Sequence, residues 1–337
     1  MIYSLTKNPL VGIIVPIYNT AEYIERCLLS ILNNTYSNIK VFCIDDGSDD
    51  ESPDIIQKLV ASDKRVVLIR QENSGVSVAR NKGLEFAFEE NCEVIGFVDS
   101  DDWVHPKYIE TLLSGIMDGY DVSVCNCERT TTFSNEYCDI KNIDIVEYDL
   151  ECIQNNQIVK KYIWGRLFRR SAIEKVRFTK GININEDTLF NIITIVSNND
   201  LRLCWINEKL YFYFNREKSL LHSFTGQDLI GFIKECINLL SCICEKNKKS
   251  FLINIILTNT FNARYISKFE VDFLKNDIIC KDLLKETWKI VKKDKIKLKN
   301  KFIFRLFSIF PLLYRLFRIV TDRTILDWEK QQKSLNK

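Results

Sequence analysis

Histidine is nearly absent from this chain of 337 residues, which has only His105 and His222. So few imidazoles argue against a histidine-rich zinc site and against a hydrolase built on serine, histidine and aspartate. The twelve cysteines form no Cys-x-x-Cys pair, and most of them, such as Cys27, Cys43 and Cys204, lie inside apolar runs. We therefore expect small core residues in a protein from a reducing compartment, rather than a disulfide framework.

The chain also lacks a strong excess of charge, a signal sequence and a membrane span. Lysine and arginine total 47 against 45 acidic residues, so the net charge of +2 gives no general reason to bind nucleic acid. Residues 1–9 show no basic stretch followed by an apolar one, and no apolar run reaches the roughly 18 residues that a membrane helix needs. With 46% hydrophobic residues the chain has ample material for a core. These features predict a folded cytoplasmic protein.

Three aspartates directly follow an apolar run near residue 100. The run Val94–Val98 predicts a strand buried on both faces, and it ends at Asp99, Asp101 and Asp102. Like charges this close are tolerable when a cation lies among them. Strand periodicity would place Asp99 and Asp101 on one side, where their oxygens suit Mg²⁺ or Mn²⁺ bound to substrate phosphates. The alternative is an acidic loop that caps the helix begun by Pro106, although capping needs one acid and not three.

Strand and helix patterns alternate along the first 100 residues. Four apolar runs have the character of buried strands: Val11–Val15, Val41–Ile44, Val66–Ile69 and Val94–Val98. With amphipathic helices between them, they predict an α/β fold with a parallel sheet and helices on both faces. Ligands of such sheets lie beyond the carboxyl ends of the strands. We therefore expect residues 16–19, 45–46 and 99–102 to converge on one crevice.

The character of the sequence changes near Gly226, where long helical patterns begin. We predict two domains, a catalytic domain of residues 1–225 and a helical region of residues 226–337. Within the second, a lysine-rich segment, Lys289–Lys301, precedes an aromatic-rich one, Phe302–Ile319, which a proline and three arginines interrupt. Two interpretations of this tail stay open: peripheral contact with the inner face of a cell membrane, or packing on the catalytic domain or on a second subunit.

Five short motifs now stand in a defined order. They are Val-Pro-Ile-Tyr-Asn (15–19), Ile-Asp-Asp-Gly-Ser (44–48), Asn-Ser-Gly-Val-Ser-Val-Ala-Arg-Asn (73–81), Val-Asp-Ser-Asp-Asp (98–102) and Asn-Glu-Asp-Thr-Leu-Phe (185–190). On these motifs, residues 10–223 resemble the inverting family 2 glycosyltransferases of bacterial polysaccharide and cell-envelope synthesis. The resemblance implies the GT-A fold, a Rossmann-like and mostly parallel sheet followed here by a helical region. It also implies a metal-dependent hexosyl- or N-acetylhexosaminyltransferase that uses a nucleotide sugar, usually a UDP-sugar.

The resemblance further implies roles for particular residues. The donor would be held by Pro16, Tyr18, Asp46, Arg80, Asp99 and Arg166. Asp101, together with Asp99, would bind Mn²⁺ or Mg²⁺ in the motif known as DxD. Asp187 would be the general base that takes a proton from the attacking hydroxyl. Asp102 is additional to a minimal DxD motif, and ordering of the loop is one role open to it.

The chemistry agrees with these residue types. A sugar that leaves a diphosphate requires neutralisation of charge on the leaving group and removal of a proton from the acceptor hydroxyl. In-line attack then inverts the anomeric centre with a single catalytic carboxylate. Arg166 and Arg216 are candidate diphosphate or acceptor contacts. Structural alternatives stay open for several residues: Asp187 as an ordinary acid of a first helical turn, Arg80 as a surface arginine, and Arg166 and Arg216 as structural cations.

Two other classes of protein were weighed against this hypothesis. Aspartate-nucleophile phosphoryl-transfer enzymes also place a DxD after a strand, but it follows an early strand, and the loop at residues 16–19 would be unexplained. The second alternative is a catalytically silent GT-A module that only binds nucleotide sugars. A donor-hydrolysis assay distinguishes it from an active enzyme. The acceptor is a glycan, a lipid-linked sugar or a cell-envelope polymer, read by loops such as residues 130–149, whose sequence carries no transferable signal.

Overall fold

The computed structural model describes residues 5–134, 136–140, 143–182, 184–215 and 226–266, with a few further positions between 279 and 289. The chain divides into two compact units, Met1–His222 and Ser223–Lys337. The domain boundary expected after residue 225 falls beside a segment, 216–225, that lies outside the described residues. Arg216 and almost all of the basic and aromatic tail lie outside them too, so the expectations for those residues stay predictions.

Four parallel strands form the half of the sheet that the sequence predicts. They are β1 (Val11–Ile17), β2 (Ile39–Asp45), β3 (Val66–Arg70) and β4 (Val94–Phe97), in the spatial order β3-β2-β1-β4. The helices between them are α1 (Ala21–Leu32), α2 (Ser52–Ser62) and α3 (Val76–Glu89). The strand order reverses between β1 and β4, and ligands of open α/β sheets bind at the carboxyl ends of strands at such a reversal.

Helices cover both faces of this parallel half, because alternate strand residues point to opposite sides. Ile13 and Val15 of β1 belong to the same buried cluster as Ile24 of α1 and Ile56 of α2. On the other face, α3 approaches so closely that a Cβ atom at Gly83 would overlap the side chain of Ile14. The predicted α/β fold with helices on both faces is confirmed.

The other half of the sheet is mixed and was largely unpredicted. Its strands are β5 (Trp103–Val104), β6 (Val122–Thr130), β7 (Ile145–Tyr148), β8 (Arg166–Arg169) and β9 (Leu203–Phe214). Its helices are α4 (Tyr108–Met117), α5 (Leu150–Asn155), α6 (Gln157–Lys161), α7 (Arg170–Ile173) and α8 (Glu186–Ser197). Strand β8 lies antiparallel between β4 and β6, whereas β9 runs parallel to β6 and antiparallel to β5 and β7. The polar segment 130–149, which the sequence predicts as a loop, contains β7.

The second unit begins with two helices, α9 (Gly226–Cys242) and α10 (Lys246–Ile266), which pack against each other. Their apolar positions form the described core of this unit, as the helical pattern after Gly226 predicted. Within the described part of the chain, no helix is long and apolar enough to cross a bilayer. The eleven cysteines that the structure describes are all free thiols, and Cys27, Cys43 and Cys204 are buried as expected.

The aspartates lie in a turn and not in the strand itself. Strand β4 ends at Phe97, and the backbone N–H of Asp102 donates to the carbonyl oxygen of Asp99 at 3.0 Å. The burial of the side chains nevertheless alternates as strand periodicity predicted, and Ser100 is buried. Asp102 is fully buried, whereas Asp99 and Asp101 are partly exposed.

Candidate active site

The turn from Asp99 to Asp102, here called the acid turn, connects β4 to β5 and is fastened to the end of β9. The buried carboxylate of Asp102 accepts from the Tyr211 hydroxyl at 2.6 Å and from the Phe214 backbone N–H at 2.8 Å. The same Tyr211 oxygen accepts from the Asp99 backbone N–H at 3.1 Å. Burial, reinforced by the charges of Asp101 and Asp99, raises the pKa of Asp102 well above its usual value. Asp102 therefore orders the acid turn.

A cation from helix α1 holds the same turn from another side. Arg26 donates from Nη2 to the carbonyl oxygen of Asp101 at 2.6 Å. Its guanidinium carbon lies 4.6 Å from the ring centre of Trp103 and 5.0 Å from that of Phe214, within the range of cation–π attraction. Sequence reasoning missed both Arg26 and Tyr211, because an arginine in a helix and a tyrosine in a strand carry no signal of what they contact.

Arg80 of helix α3 connects the acid turn to the Asn-Glu-Asp motif. Its Nη2 donates to Oδ1 of Asp99 at 2.9 Å, and its Nη1 donates to Oδ1 of Asp187 at 2.6 Å and to Oε1 of Glu186 at 3.2 Å. The arginine is 3% exposed, and its guanidinium carbon lies 5.3 Å from the ring centre of Phe178. The structural alternative of a surface arginine is therefore wrong.

Asp187 lies in the first turn of α8, where the helix macrodipole favours a carboxylate. One oxygen accepts from Arg80, and the other accepts from the backbone N–H of Ile163 at 3.2 Å. Burial raises the pKa of Asp187 well above its usual value, although the Arg80 charge opposes this rise. Each carboxylate oxygen keeps a second lone pair, so the side chain can still accept a proton.

The charges around Arg80 do not balance. Burial alone would lower the pKa of Arg80, but the charges of Asp187, Asp99 and Glu186 raise it above its usual value, so this guanidinium stays protonated. One cation thus faces three carboxylates within hydrogen-bond distance. The excess of negative charge favours the arrival of a further cation.

The residues expected to hold Mn²⁺ or Mg²⁺ are Asp99 and Asp101. Asp102 is committed to Tyr211 and Phe214, and among the described residues no group of three or more histidine, cysteine or acidic side chains is arranged to hold a metal ion. Mg²⁺ is usually bound by one or two carboxylates together with waters and substrate phosphates. Two partly exposed aspartates beside an excess of negative charge fit that donor set.

The remaining donor-site candidates lie at the ends of β1 and β2. Pro16 is buried within β1 opposite Ile44, and Tyr18, directly after the strand, is 51% exposed. The buried Asp46 carboxylate accepts from the backbone N–H groups of Ser74 and Gly75, both at 2.8 Å. Asp46 therefore positions the loop that begins α3, the helix that carries Arg80.

Arg166 does not lie with the other candidates in a position to contact a donor. Its side chain is 1% exposed, and its Nη atoms donate to the carbonyl oxygens of Val159 at 3.1 Å and Ile158 at 2.8 Å and to Oδ1 of Asn191 at 3.2 Å. Burial lowers the pKa of Arg166 to about 10. These contacts fasten α6 to α8, so we no longer propose Arg166 as a donor contact.

The sequence profile described as glycosyl transferase family 2 matches residues 12–177. This segment includes β1, Asp46, Arg80 and the acid turn. Residues 12–177 form a family 2 glycosyltransferase domain. Asp187 and Tyr211 lie beyond the matched segment, yet the contacts above bring them to the acids within it.

Known proteins from bacteria resemble the chain over this domain. EpsH of Bacillus subtilis is 35% identical over 178 residues, which is 51% of this chain and 51% of EpsH. Glycosyltransferase GlyA of Streptococcus pneumoniae is 32% identical over 246 residues, which is 68% of this chain and 34% of GlyA. The chain thus spans about half the length of the first of these relatives and about a third of the second.

Solved structures share the fold at low sequence identity. TarS of S. aureus superposes with a TM-score of 0.67 over 88% of this chain and 52% of TarS, at 18% identity. The mannosyltransferase PcManGT of Pyrobaculum calidifontis, solved with GDP-Man and Mn²⁺, superposes with a TM-score of 0.56 over 94% of this chain and 88% of its own, at 14% identity. These similarities confirm the GT-A fold that the sequence motifs implied.

Proposed function

We propose that this domain is a metal-dependent, inverting glycosyltransferase that moves a sugar from a nucleotide-sugar donor of the UDP-sugar class to a hydroxyl group. The observation that carries the proposal is the pair of contacts from Arg80 to Asp99 and Asp187. They join Asp99, proposed for the metal and the donor, to Asp187, the partly buried carboxylate proposed as the base. The complexes of TarS with UDP-GlcNAc and of PcManGT with GDP-Man and Mn²⁺ support this choice of ligands.

The donor would lie across the carboxyl ends of β1, β2 and β4. Tyr18 offers an exposed ring at the end of β1, and Pro16 shapes the loop that follows. Asp46 Oδ1 accepts two hydrogen bonds, from Gln71 and Ser74, whereas Oδ2 accepts one, from the Gly75 N–H, and keeps a second lone pair. We infer that Asp46 acts on the nucleotide base chiefly through the loop it holds, with its remaining lone pair on Oδ2 toward the ring.

The diphosphate would lie at the acid turn. Asp99 and Asp101 would hold Mn²⁺ or Mg²⁺, which would neutralise the charge that develops on the leaving diphosphate. The chain's own contribution is a turn whose backbone is fixed before the donor arrives, by Tyr211 at one end and Arg26 at the other. A site whose donors and acceptors are already in place requires no reorganisation during the reaction.

Asp187 would accept the proton of the attacking hydroxyl. Burial raises the pKa of this carboxyl group, and a base with a pKa nearer to neutrality takes a proton more readily. The Ile163 N–H and the Arg80 guanidinium orient its two oxygens. Because attack comes from the face opposite the diphosphate, no covalent intermediate with the enzyme is needed.

The acceptor is proposed as a glycan, a lipid-linked sugar or a cell-envelope polymer. The tail at Lys289–Lys301 and Phe302–Ile319 would bring the domain to the inner face of a membrane. Flotation with anionic vesicles tests this: the full chain should float at low salt, and a chain ending near Lys285 should not. If neither floats, the tail has another role.

The experiment that tests the function is a screen of the purified chain against a panel of nucleotide sugars with Mn²⁺, in which released nucleotide is measured. One donor should be hydrolysed or transferred, and a chelator should stop the reaction. Binding of a donor with no release of nucleotide in the presence of any acceptor would instead indicate the catalytically silent module.

A further inference from the structure

An exposed arginine, Arg129, stands beside the proposed site and has no acidic partner among the residues that the structure describes. Arg129, near the end of β6, is exposed, and its hydrogen bond within the described residues is the one from Nη2 to the Tyr162 hydroxyl, at 2.6 Å. In the described part of the chain, no carboxylate lies within ion-pair distance of it. By contrast, exposed Lys209 on the neighbouring strand β9 pairs with Glu128 at 3.3 Å.

Two tyrosine rings hold the guanidinium of Arg129. Its central carbon lies 5.1 Å from the ring centre of Tyr213, its cross-strand partner in the β6–β9 ladder, and 5.7 Å from that of Tyr162. Tyr162 in turn stacks on the buried Trp164 at 4.4 Å between ring centres. An arginine held on aromatic rings is ordered before a ligand arrives, so it loses less entropy on binding one.

Each tyrosine is next in sequence to a residue whose backbone N–H binds an acid of the proposed site. Ile163, next to Tyr162, donates its N–H to Asp187. Phe214, next to Tyr213, donates its N–H to Asp102 of the acid turn. Burial, together with the charges of Asp102, Asp99 and Asp101, raises the pKa of Tyr213 to about 12, and the charge of Arg129 opposes this rise. The Tyr213 ring therefore lies within electrostatic range of the acid turn and of Arg129.

We propose that Arg129, Tyr162 and Tyr213 form an acceptor subsite, and that Arg129 binds a phosphate or carboxylate group on the acceptor. The planar guanidinium can donate two parallel hydrogen bonds to either anion, and Nη1 and Nε make no other hydrogen bonds among the described residues. A position beside the base suits the acceptor, whereas the donor diphosphate belongs with the metal at the acid turn. The inference rests on the proposed function and names a substrate class for it.

The test compares three acceptors with the donor found by the screen above. The probes are N-acetylglucosamine linked to farnesyl diphosphate, a galacturonic acid trisaccharide and a neutral galactose trisaccharide. We expect transfer to one or both anionic probes, and the two arms show whether phosphate or carboxylate is the preferred group. Equal or better transfer to the neutral probe would overturn the proposal.

Arg129→Gln should lower kcat/KM for the anionic probe about tenfold or more, the scale of a lost charge-assisted hydrogen bond, without a rise in the donor KM. Tyr162→Phe, which removes the bond that orients Arg129, should give a smaller loss. Lys209→Gln is the matched control and should have no effect. A raised donor KM in Arg129→Gln would show that Arg129 binds the donor, and an equal loss in Lys209→Gln would show a general effect of charge. Either result contradicts the subsite.

A direct titration separates this proposal from the proposed function. Calorimetry of the full chain with the anionic probe needs no turnover, so it applies even if no donor is hydrolysed. The wild-type chain should bind the probe, and Arg129→Gln should bind it about tenfold more weakly. Equal binding by the two proteins would overturn the subsite, while hydrolysis of a donor would still support the glycosyltransferase.

Discussion

Arg80 and Asp187 lie 107 residues apart in the chain, yet Nη1 of the arginine donates to Oδ1 of the aspartate at 2.6 Å. The same guanidinium reaches Asp99 of the acid turn. One buried cation thus connects two motifs, the acid turn and Asn185–Asp187, whose contact no sequence pattern revealed. Its consequences for stability, metal use and turnover are open to measurement.

Replacement of Arg80 should destabilise the domain strongly. Arg80→Met would leave Asp99, Glu186 and Asp187 facing one another without the cation, and loss of one partner of a buried ion pair costs about 3–5 kcal/mol. The free energy of unfolding in urea measures this. As a control, Arg202→Ala removes an exposed surface pair with Glu147 and should change the stability far less.

Arg80→Lys distinguishes charge from geometry at the same position. It keeps the positive charge but loses the fork that contacts two motifs at once, so most of the stability should return while turnover stays low. Wild-type turnover in Arg80→Lys would show that the charge of Arg80 alone matters.

Tyr211 should control the acid turn through its hydroxyl group. Tyr211→Phe leaves the buried Asp102 with one donor fewer and the Asp99 N–H without its acceptor, at a cost of about 1–3 kcal/mol. Because the turn also holds the proposed metal ligands, the Mn²⁺ concentration for half-maximal activity should rise. Tyr120→Phe, whose hydroxyl is exposed, is the control. An unchanged Mn²⁺ requirement would separate Tyr211 from the metal site.

Asp101→Asn should raise the metal requirement or abolish activity, since it removes a ligand charge beside the diphosphate. The measurement is release of nucleotide over a range of Mn²⁺ concentrations, with chelator as the zero point. Full activity of this variant in chelator would remove Asp101 from the metal site. Asp49→Asn, an exposed acid in the β2–α2 loop, provides a comparison of equal charge change.

Gly83→Ala tests the packing of α3 on the sheet. Alanine is favoured over glycine within a helix by about 1 kcal/mol, but here the new methyl group would overlap Ile14. We expect a net loss of about 1–3 kcal/mol of stability, the usual cost of overpacking. A gain in stability would mean that α3 lies farther from β1 than the structure shows.

Sequence patterns predicted the parallel half of the fold because each of its strands is a short apolar run between helices. They failed for β9, in which exposed and buried residues alternate irregularly, and for β5, which is only two residues long. They also failed at Arg166, since burial of an arginine depends on carbonyl groups from α6 that no local pattern reveals.

The site itself was predictable where the chemistry demands a residue type, and not where a contact depends on the fold. Asp99, Asp101 and Asp187 all stand in motifs, but only the first two follow the end of a strand; Asp187 begins α8, and only the tertiary structure brings it to them. Arg26 and Tyr211 are supports, and only the tertiary structure reveals them. The predicted roles of the motif acids remain to be measured.

The most direct test of the account is Asp187→Asn with Glu186→Gln as its neighbour control. Turnover of the donor and acceptor found by the screens should fall by about 10² or more in Asp187→Asn, the scale of a lost general base. Donor affinity measured by calorimetry should stay near the wild-type value, and Glu186→Gln should keep most of its turnover. A loss of donor affinity in parallel with turnover would contradict the account and make Asp187 a binding or folding residue.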